Sequence, residues 1–305
     1  MKKLISAVAT ALALTVSLPA QAESIKRKIC VFDIVGNVGP VMSAMKDWQT
    51  AALAWGLEVE LIPHTNEAIA AEDLKAGVCD AALITGIRGR NFNKYAGTID
   101  SIGAIPTMEH MEVALKVLAH PQTADKLSQG SYQIMGVAPA GAAYIFVNDR
   151  EINSLAKAAG KRVAVLEYDE TQAILVSQVG ATPVGSAVTN FSTKFNNGVV
   201  DVLAAPLAAY EIVELYKGMT PDGGIVNYPI AQISMQLVAR RERIPNEAAQ
   251  LVREVFFESY QQIIDRVHEE TKNIPDRWWI EIPEDDKREY EVMMRDVRLQ
   301  LRERG

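Results

Sequence analysis

Two arginines flanked by glycines form the segment of this sequence with the clearest chemical potential. The run Thr85-Gly-Ile-Arg88-Gly-Arg90 follows a short apolar stretch that is typical of a buried strand. In open α/β folds, ligands lie beyond the carboxyl ends of the strands, and glycines let the backbone approach a ligand closely. We therefore predict that Thr85, Arg88 and Arg90 line a ligand site, with Arg88 the first candidate for contact with an anionic or polar group. A solvated loop arginine is the alternative.

A second candidate lies in the loop after the first predicted strand, which contains Asp33, Gly36, Asn37 and Gly39. Backbone N–H groups in such a turn can hold an anion or a carbonyl group. The Gly-x-x-Gly spacing lacks the full dinucleotide-binding pattern, so an ordinary tight turn is the favoured interpretation. Its position at a strand end still predicts that Asn37 lies near a cleft.

A third candidate follows the strand-like run RVAVL and consists of Glu167, Tyr168 and Thr171. Tyrosine offers an apolar face together with a hydroxyl, which suits sugar, aromatic or acyl ligands. We predict that these three residues contact a ligand, and a surface loop is the alternative.

Signals for catalysis are sparse. The four histidines are isolated, and neither His-x-x-x-His nor Cys-x-x-Cys occurs. A Gly-x-Ser-x-Gly elbow and a phosphate-binding loop are also missing from the sequence. We therefore expect no metal site, no cofactor and no enzymatic activity, although catalytic groups can converge from distant positions.

The elements that position these residues alternate between strand and helix. Residues 26–85 follow the order β-α-β-α-β, and a second copy of this order lies between about 144 and 206. Such alternation is typical of an α/β fold with a mainly parallel sheet. A return strand then precedes one long amphipathic helix over 245–272 and a charged helix over 284–303.

Composition narrows the class of protein. The 305 residues are 49% hydrophobic and 23% charged, which is typical of globular chains long enough for two lobes.

Residues 1–22 carry Lys2 and Lys3 near their start, continue with an uncharged apolar run and end in a small-x-small pattern. This pattern predicts a cleavable signal peptide, with an uncleaved anchor as the alternative. Removing it changes the net charge from −7 to about −9, and an acidic chain without a basic block argues against nucleic-acid binding.

The two cysteines are Cys30 and Cys79. An even number in an exported chain permits one disulfide. Two buried thiols are the alternative, since sequence alone does not show the distance between them.

The order of these segments resembles the extracytoplasmic solute-binding proteins of tripartite ATP-independent periplasmic (TRAP) transporters over nearly the whole mature chain. Four stretches carry the resemblance: EVELIPHTNEAIAAEDLKAGVCDAALITG, TIDSIGAIPTMEHMEVALKVL, AAGKRVAVLEYDETQAILVSQVGATPVG and FSTKFNNGVVDVLAAP. It implies a two-lobed type II periplasmic binding fold with the ligand between the lobes. We expect lobe 1 at 23–140, lobe 2 at 141–224, and a return strand with C-terminal helices at 225–305 that pack over both lobes.

The sequence departs from this family at two places. Ala164 stands where the family's strand usually carries an arginine that clamps a ligand carboxylate, and Arg162 lies two residues earlier. Ala204 and Ala205 stand where the family often has a polar pair. We expect Arg162 and Ala205 to face the cleft; either another arginine supplies the charge or the ligand is not an ordinary carboxylate.

The resemblance implies a periplasmic receptor that captures a small organic solute and passes it to the membrane permease subunits of a transporter. We expect a monomer that is not embedded in the membrane. Two alternatives remain open: a subunit that presents its solute to a signalling receptor, and a periplasmic enzyme on the same fold, in which Asp33 or Glu167 would be required for turnover.

Overall fold

The computed structural model describes residues 25–304. The predicted signal peptide at 1–22 lies outside the described residues. Within them, no helix is both long and apolar enough to cross a membrane.

The chain begins with a parallel α/β unit, the first unit. Its elements are β1 (Ile25–Phe32), α1 (Pro40–Ala52), β2 (Leu57–His64), α2 (Glu67–Ala76) and β3 (Ala81–Thr85). Strand β1 lies between β2 and β3 and is parallel to both. The predicted β-α-β-α-β order is confirmed.

Local chemistry explains where these helices begin and end. Pro40 starts α1, since its fixed φ suits a first helical turn. The side chain of Asn66 caps α2 by accepting the N–H of Ala68, and Gly77 ends that helix with a positive φ of 77°. Both helices bury an apolar face against the sheet.

Short elements lead to the first of two long strands. They are α3 (Gly86–Gly89), α4 (Lys94–Gly97), α5 (Met108–Ala119) and β4 (Ser128–Gln129), and the long strand is β5 (Tyr132–Val147). The second copy of the strand and helix pattern was predicted to begin at about 144, but its first strand already starts at Tyr132. One strand continues through this region, with shifts of register against its partner that absorb the bends.

The second unit repeats the strand and helix alternation, as predicted. Its elements are α6 (Leu155–Ala158), β6 (Arg162–Leu166), α7 (Glu170–Gln178), β7 (Thr182–Ser186), α8 (Phe191–Asn196) and β8 (Val202–Pro206), followed by α9 (Ala209–Ile212) and α10 (Tyr216–Met219). Strand β6 is parallel to β7 and β8.

The second long strand, β9 (Gly224–Arg240), joins the two units. It is antiparallel to β5 over most of its length, and its carboxyl half also pairs with β3. Strand β5 pairs with β8 at its own carboxyl end. The main sheet order is β2-β1-β3-β9-β5-β8-β6-β7, so β5 and β9 are the continuous connection between two lobes. The two-lobed α/β fold is confirmed, while the exact lobe boundaries stay predictions.

The C-terminal segment packs on both lobes. It contains α11 (Asn246–Glu258), α12 (Tyr260–Thr271), β10 (Trp279–Ile280) and α13 (Glu284–Arg304). The single helix predicted over 245–272 is wrong, because the helix breaks at Ser259, which separates α11 from α12.

Helix α13 confirms the predicted long C-terminal helix and contacts both sides of the molecule. Arg298 donates a hydrogen bond to the carbonyl of Ile102, and Gln178 at the end of α7 bonds to Gln300. Tyr290 and Met294 are buried in an apolar cluster beneath the helix. The helix therefore connects the second unit to the segment that follows the first unit.

Cys30 in β1 and Cys79 just before β3 form a disulfide, with Cα atoms 5.8 Å apart. The possible bridge is confirmed. His64 and Asp73 each place a ligand atom within 4.8 Å of the Cys30 sulfur. Because that sulfur is bonded to Cys79, it is not a thiolate and is a poor metal ligand.

Candidate functional site

A cavity of about 710 Å³ lies between the lobes. The carboxyl ends of β1, β3, β6 and β8 border it, as the rule for open α/β sheets predicts, together with the middle of β5 and β9. Its volume falls in the range of small-molecule sites. Most lining side chains are aliphatic, among them Ile102, Ala140, Ile145, Leu166, Ile212 and Ile230.

Five of the nine predicted ligand-binding residues line this cavity. They are Thr85, Arg90, Tyr168, Thr171 and Ala205. The first lobe supplies Thr85 and Arg90, and the second lobe supplies the other three. The structure thus brings together groups that are far apart in sequence.

Arg88 takes part in a polar contact between the lobes, which we call the Glu67 bridge and which consists of Glu67, Arg88 and Tyr168. One carboxylate oxygen of Glu67 accepts the N–H of Thr85 at 2.7 Å. The other oxygen accepts Nε of Arg88 at 2.9 Å and the hydroxyl of Tyr168 at 3.0 Å. The guanidinium of Arg88 also stacks 3.7 Å from the centre of the Tyr168 ring.

The Glu67 bridge is largely buried, and Glu67 is 1% exposed. Burial, with the charge of Glu67 as the next cause, raises the pKa of Tyr168 well above its usual range. Tyr168 therefore stays protonated and donates its hydroxyl hydrogen to Glu67. Tyr168 is the member of the bridge that lines the cavity, and neither Glu67 nor Arg88 does so.

Arg90, one of three arginines that line the cavity, lies next to this bridge. Its side chain is 28% exposed, and Nη1 lies 3.9 Å from Oδ1 of Asp169. Within residues 25–304, no hydrogen-bond partner is found for its guanidinium. Arg90 therefore has donors available for a bound group.

Besides Arg88, three more predicted residues lie outside the cavity lining. Arg162 starts β6 at the end away from the cleft, where its guanidinium holds Asp201 at 2.6 and 3.0 Å. The side chain of Asn37 is exposed, and its carbonyl accepts the Lys46 ammonium at 2.8 Å. Glu167 is exposed although its neighbours on both sides line the cavity. The prediction that Arg162, Asn37, Glu167 and Arg88 line the cleft is therefore corrected. Arg162 lies at the amino end of β6, Asn37 and Glu167 are exposed to solvent, and Arg88 is held by Glu67.

Two buried carboxyl groups line the cavity: Asp33, which belongs to the second candidate loop, and Asp100, which the sequence analysis did not single out. Asp33 accepts the N–H groups of Val35 and Met42, both at 2.9 Å. Asp100 accepts the N–H and the hydroxyl of Ser234, both at 2.7 Å. Asp100 and Ser234 are 134 residues apart, so no local pattern signals this contact.

The carboxyl group of Asp100 has a raised pKa. Burial raises its pKa from 3.8 to about 7, against the opposing effects of the Ser234 bonds and the Arg90 charge. A Cβ atom at Gly86 would lie 2.0 Å from the Asp100 carboxylate, so only glycine fits where α3 begins. The backbone of the glycine-rich segment thus approaches Asp100 closely.

This carboxyl predicts a pH dependence of stability. Because folding raises its pKa, the folded chain holds more protons than the unfolded chain between pH 3.8 and about 7. The contribution of Asp100 is therefore most favourable below pH 3.8 and is lost as the pH rises through about 7. We expect Asp100→Asn, which stays uncharged, to reduce this decline when the free energy of unfolding is measured across that range. A difference between wild type and variant that is constant with pH would contradict the assignment.

Comparisons with known proteins agree with this architecture. Residues 19–305 match the family model described as solute-binding protein AdeT 1/2. The chain is 40% identical over 275 residues to the probable solute-binding protein AdeT1 of Acinetobacter baumannii, an alignment that covers 90% of each chain.

Solved structures show the same fold at low sequence identity. A TRAP periplasmic solute-binding protein from Sulfitobacter sp. NAS-14.1 with bound β-D-galacturonate superimposes with a TM-score of 0.75 at 15% identity, over 90% of this chain and 94% of the other. One from Desulfovibrio salexigens with bound orotic acid gives 0.74 at 13% identity, over 89% and 90%. Taken with the family match and the cleft between two lobes, this similarity shows that the chain belongs to the AdeT 1/2 family of solute-binding proteins and has the fold of the TRAP receptors.

Proposed function

We propose that this chain is a periplasmic receptor that captures a small organic carboxylate between its lobes and delivers it to a TRAP-type transporter. The observation that carries the proposal is the cavity itself, which is lined by residues of both lobes beside a hydrogen bond that joins them, from Tyr168 to Glu67. A ligand that contacts both lobes favours the closed form, because only the closed form makes both sets of contacts. The uronate and orotic acid held by the two similar structures support a carboxylate.

The proposal includes export and a membrane partner. The pattern at 1–22 supports secretion into the periplasm through a cleavable signal peptide. The closed receptor, acting as a monomer, would dock on permease subunits, as expected for a receptor of a tripartite transporter. A subunit that presents the same solute to a signalling receptor is the alternative partner role, and reconstitution with a permease pair separates the two.

A binding role accounts for the polar groups better than catalysis does. The oxygens of Asp33 already accept two backbone N–H groups, which leaves them poorly placed to act as a base. Glu167 is exposed and outside the cavity lining. The two carboxyl groups that the sequence offered for catalysis are thus a structural anchor and a surface group.

Titration of the mature chain with a broad panel of metabolites tests the proposal. A receptor is stabilised once the ligand concentration exceeds its dissociation constant, so the melting temperature should rise progressively with concentration for at least one organic acid. A panel of carboxylates, amino acids, sugars and aromatic compounds that leaves the melting temperature unchanged would contradict the receptor function.

A further inference from the structure

The walls of the cavity are largely apolar. Alanines occupy its second-lobe wall at Ala164, Ala204 and Ala205, where the resemblance led us to expect an arginine and a polar pair. Ala138, Pro139 and the aliphatic residues of β9 line the opposite side. A polar solute such as a sugar acid would leave several hydroxyl groups without partners against such walls, which costs binding free energy.

Four acidic residues line the cavity, and the exposed one, Asp47, faces Arg266 at 3.7 Å. The protein already engages the other three. Asp33 and Asp100 each accept two hydrogen bonds from neighbouring residues. Asp169 caps α7 by accepting the N–H of Thr171 at 3.1 Å. A cationic solute would therefore compete with existing partners for every one of these carboxylates.

The arginines differ in whether their guanidinium groups already have partners within the protein. The guanidinium of Arg88 is held by Glu67 and stacked on Tyr168. Arg162 is paired with Asp201 outside the cavity. Arg90 lines the cavity and keeps its donors unoccupied within residues 25–304, with Asp169 only at 3.9 Å. Two further arginines line the cavity: Arg298 donates to the carbonyl of Ile102, and Arg266 faces Asp47 at 3.7 Å. Of the three, Arg90 is the one just beyond the carboxyl end of a strand, β3, where ligands of open α/β folds lie.

From this arrangement we infer that the solute is an organic acid with a large apolar body, and that Arg90 binds its carboxylate. The inference rests on the receptor function proposed above and specifies its ligand class. Arg90 replaces the arginine that the family usually carries at the position of Ala164. Its planar guanidinium can donate two parallel hydrogen bonds to a carboxylate. The aliphatic walls bury the remainder of the solute, for which apolar area provides most of the affinity.

Three probes that share one apolar body separate the effects of charge and shape. They are 1-naphthaleneacetate, its neutral amide and 1-naphthylmethylamine, compared by calorimetric titration with the polar acids succinate and D-galacturonate. We expect naphthaleneacetate to bind at least about tenfold more tightly than the amide, since a hydrogen bond to a charged group contributes more than one between neutral groups. We expect the amine and both polar acids to bind more weakly still.

Variants at Arg90 test the anchor. Arg90→Gln should weaken naphthaleneacetate about 10- to 100-fold and leave the amide nearly unchanged. Arg90→Lys, which keeps the charge and loses the planar donor pair, should give an intermediate loss. Arg162→Gln removes an arginine outside the cavity and is the matched control, for which we expect wild-type affinity. Melting curves of all three variants establish that each is folded.

A variant of the wall tests the apolar part separately. Ala204 lines the cavity and is exposed, so Ala204→Asn can be accommodated without burying an amide. We expect this substitution to weaken naphthaleneacetate several-fold.

The outcomes separate this inference from the receptor function. Tighter binding of succinate or D-galacturonate than of naphthaleneacetate would overturn the inference and leave the receptor function intact. Tightest binding of the amine, or an Arg90→Gln variant with unchanged affinity for the acid, would also overturn it. If neither these probes nor the broad metabolite panel binds, both proposals fail.

Discussion

The double variant Cys30→Ala, Cys79→Ala is expected to lower the free energy of unfolding by about 4 kcal/mol. The disulfide joins residues that are 49 apart in sequence, and closing a loop of that length restricts the unfolded chain by about this amount in the chain-entropy model. The bridge also ties the central strand β1 to the start of β3, inside the buried core. Denaturant unfolding of the oxidised wild type and the double variant measures the difference.

The reduced wild type is the matched control, because it keeps both sulfur atoms and lacks only the bond. It should unfold close to the double variant, and the double variant should not respond to reductant. If the oxidised and reduced wild type unfold at the same denaturant concentration, the bridge does not stabilise the fold as argued.

Glu67→Ala is expected to lower the free energy of unfolding by about 3 kcal/mol. The substitution removes the acceptor for the Thr85 N–H, for Arg88 and for Tyr168 at once. Because Arg88 is only partly exposed, its charge would remain without a partner in a largely buried place. Glu67→Gln keeps the shape and part of the hydrogen bonding, so its loss should be smaller.

Tyr168→Phe isolates the part of the Glu67 bridge that crosses between the lobes. It removes one hydrogen bond and keeps the ring on Arg88, so we expect a stability loss of about 1 kcal/mol. The population of open molecules should rise, which small-angle scattering would detect as a larger radius of gyration. A loss equal to that of Glu67→Ala, with unchanged dimensions, would mean that the contact does not hold the lobes together.

Much of the fold follows from local sequence patterns. The apolar runs of β1, β3, β6 and β8 alternate with helices that end at glycine, so the parallel units were predictable. The break at Ser259 was not, because the apolar stripe continues across it and serine does not by itself end a helix. The continuity of β5 was equally hidden, since Gly136, Pro139 and Gly141 suggest interruptions that the shifts in pairing accommodate.

The candidate site was predictable only where it depends on strand polarity. Thr85, Arg90 and Tyr168 follow the carboxyl ends of their strands, which meet at the cleft. Arg162 was misplaced because the alternation of a strand gives the face of a residue but not its distance from the cleft. The partnership of Asp100 with Ser234 depends on tertiary packing, which one sequence does not reveal.

Helix α13 has a mechanical consequence. It is fastened near Ile102 on one side of the hinge strands and near Gln178 on the other. Because a helix with contacts on both lobes spans a fixed distance, it allows hinge bending and opposes separation of the lobes. We therefore expect helix α13 to limit the opening angle, and removal of the helix to increase that angle.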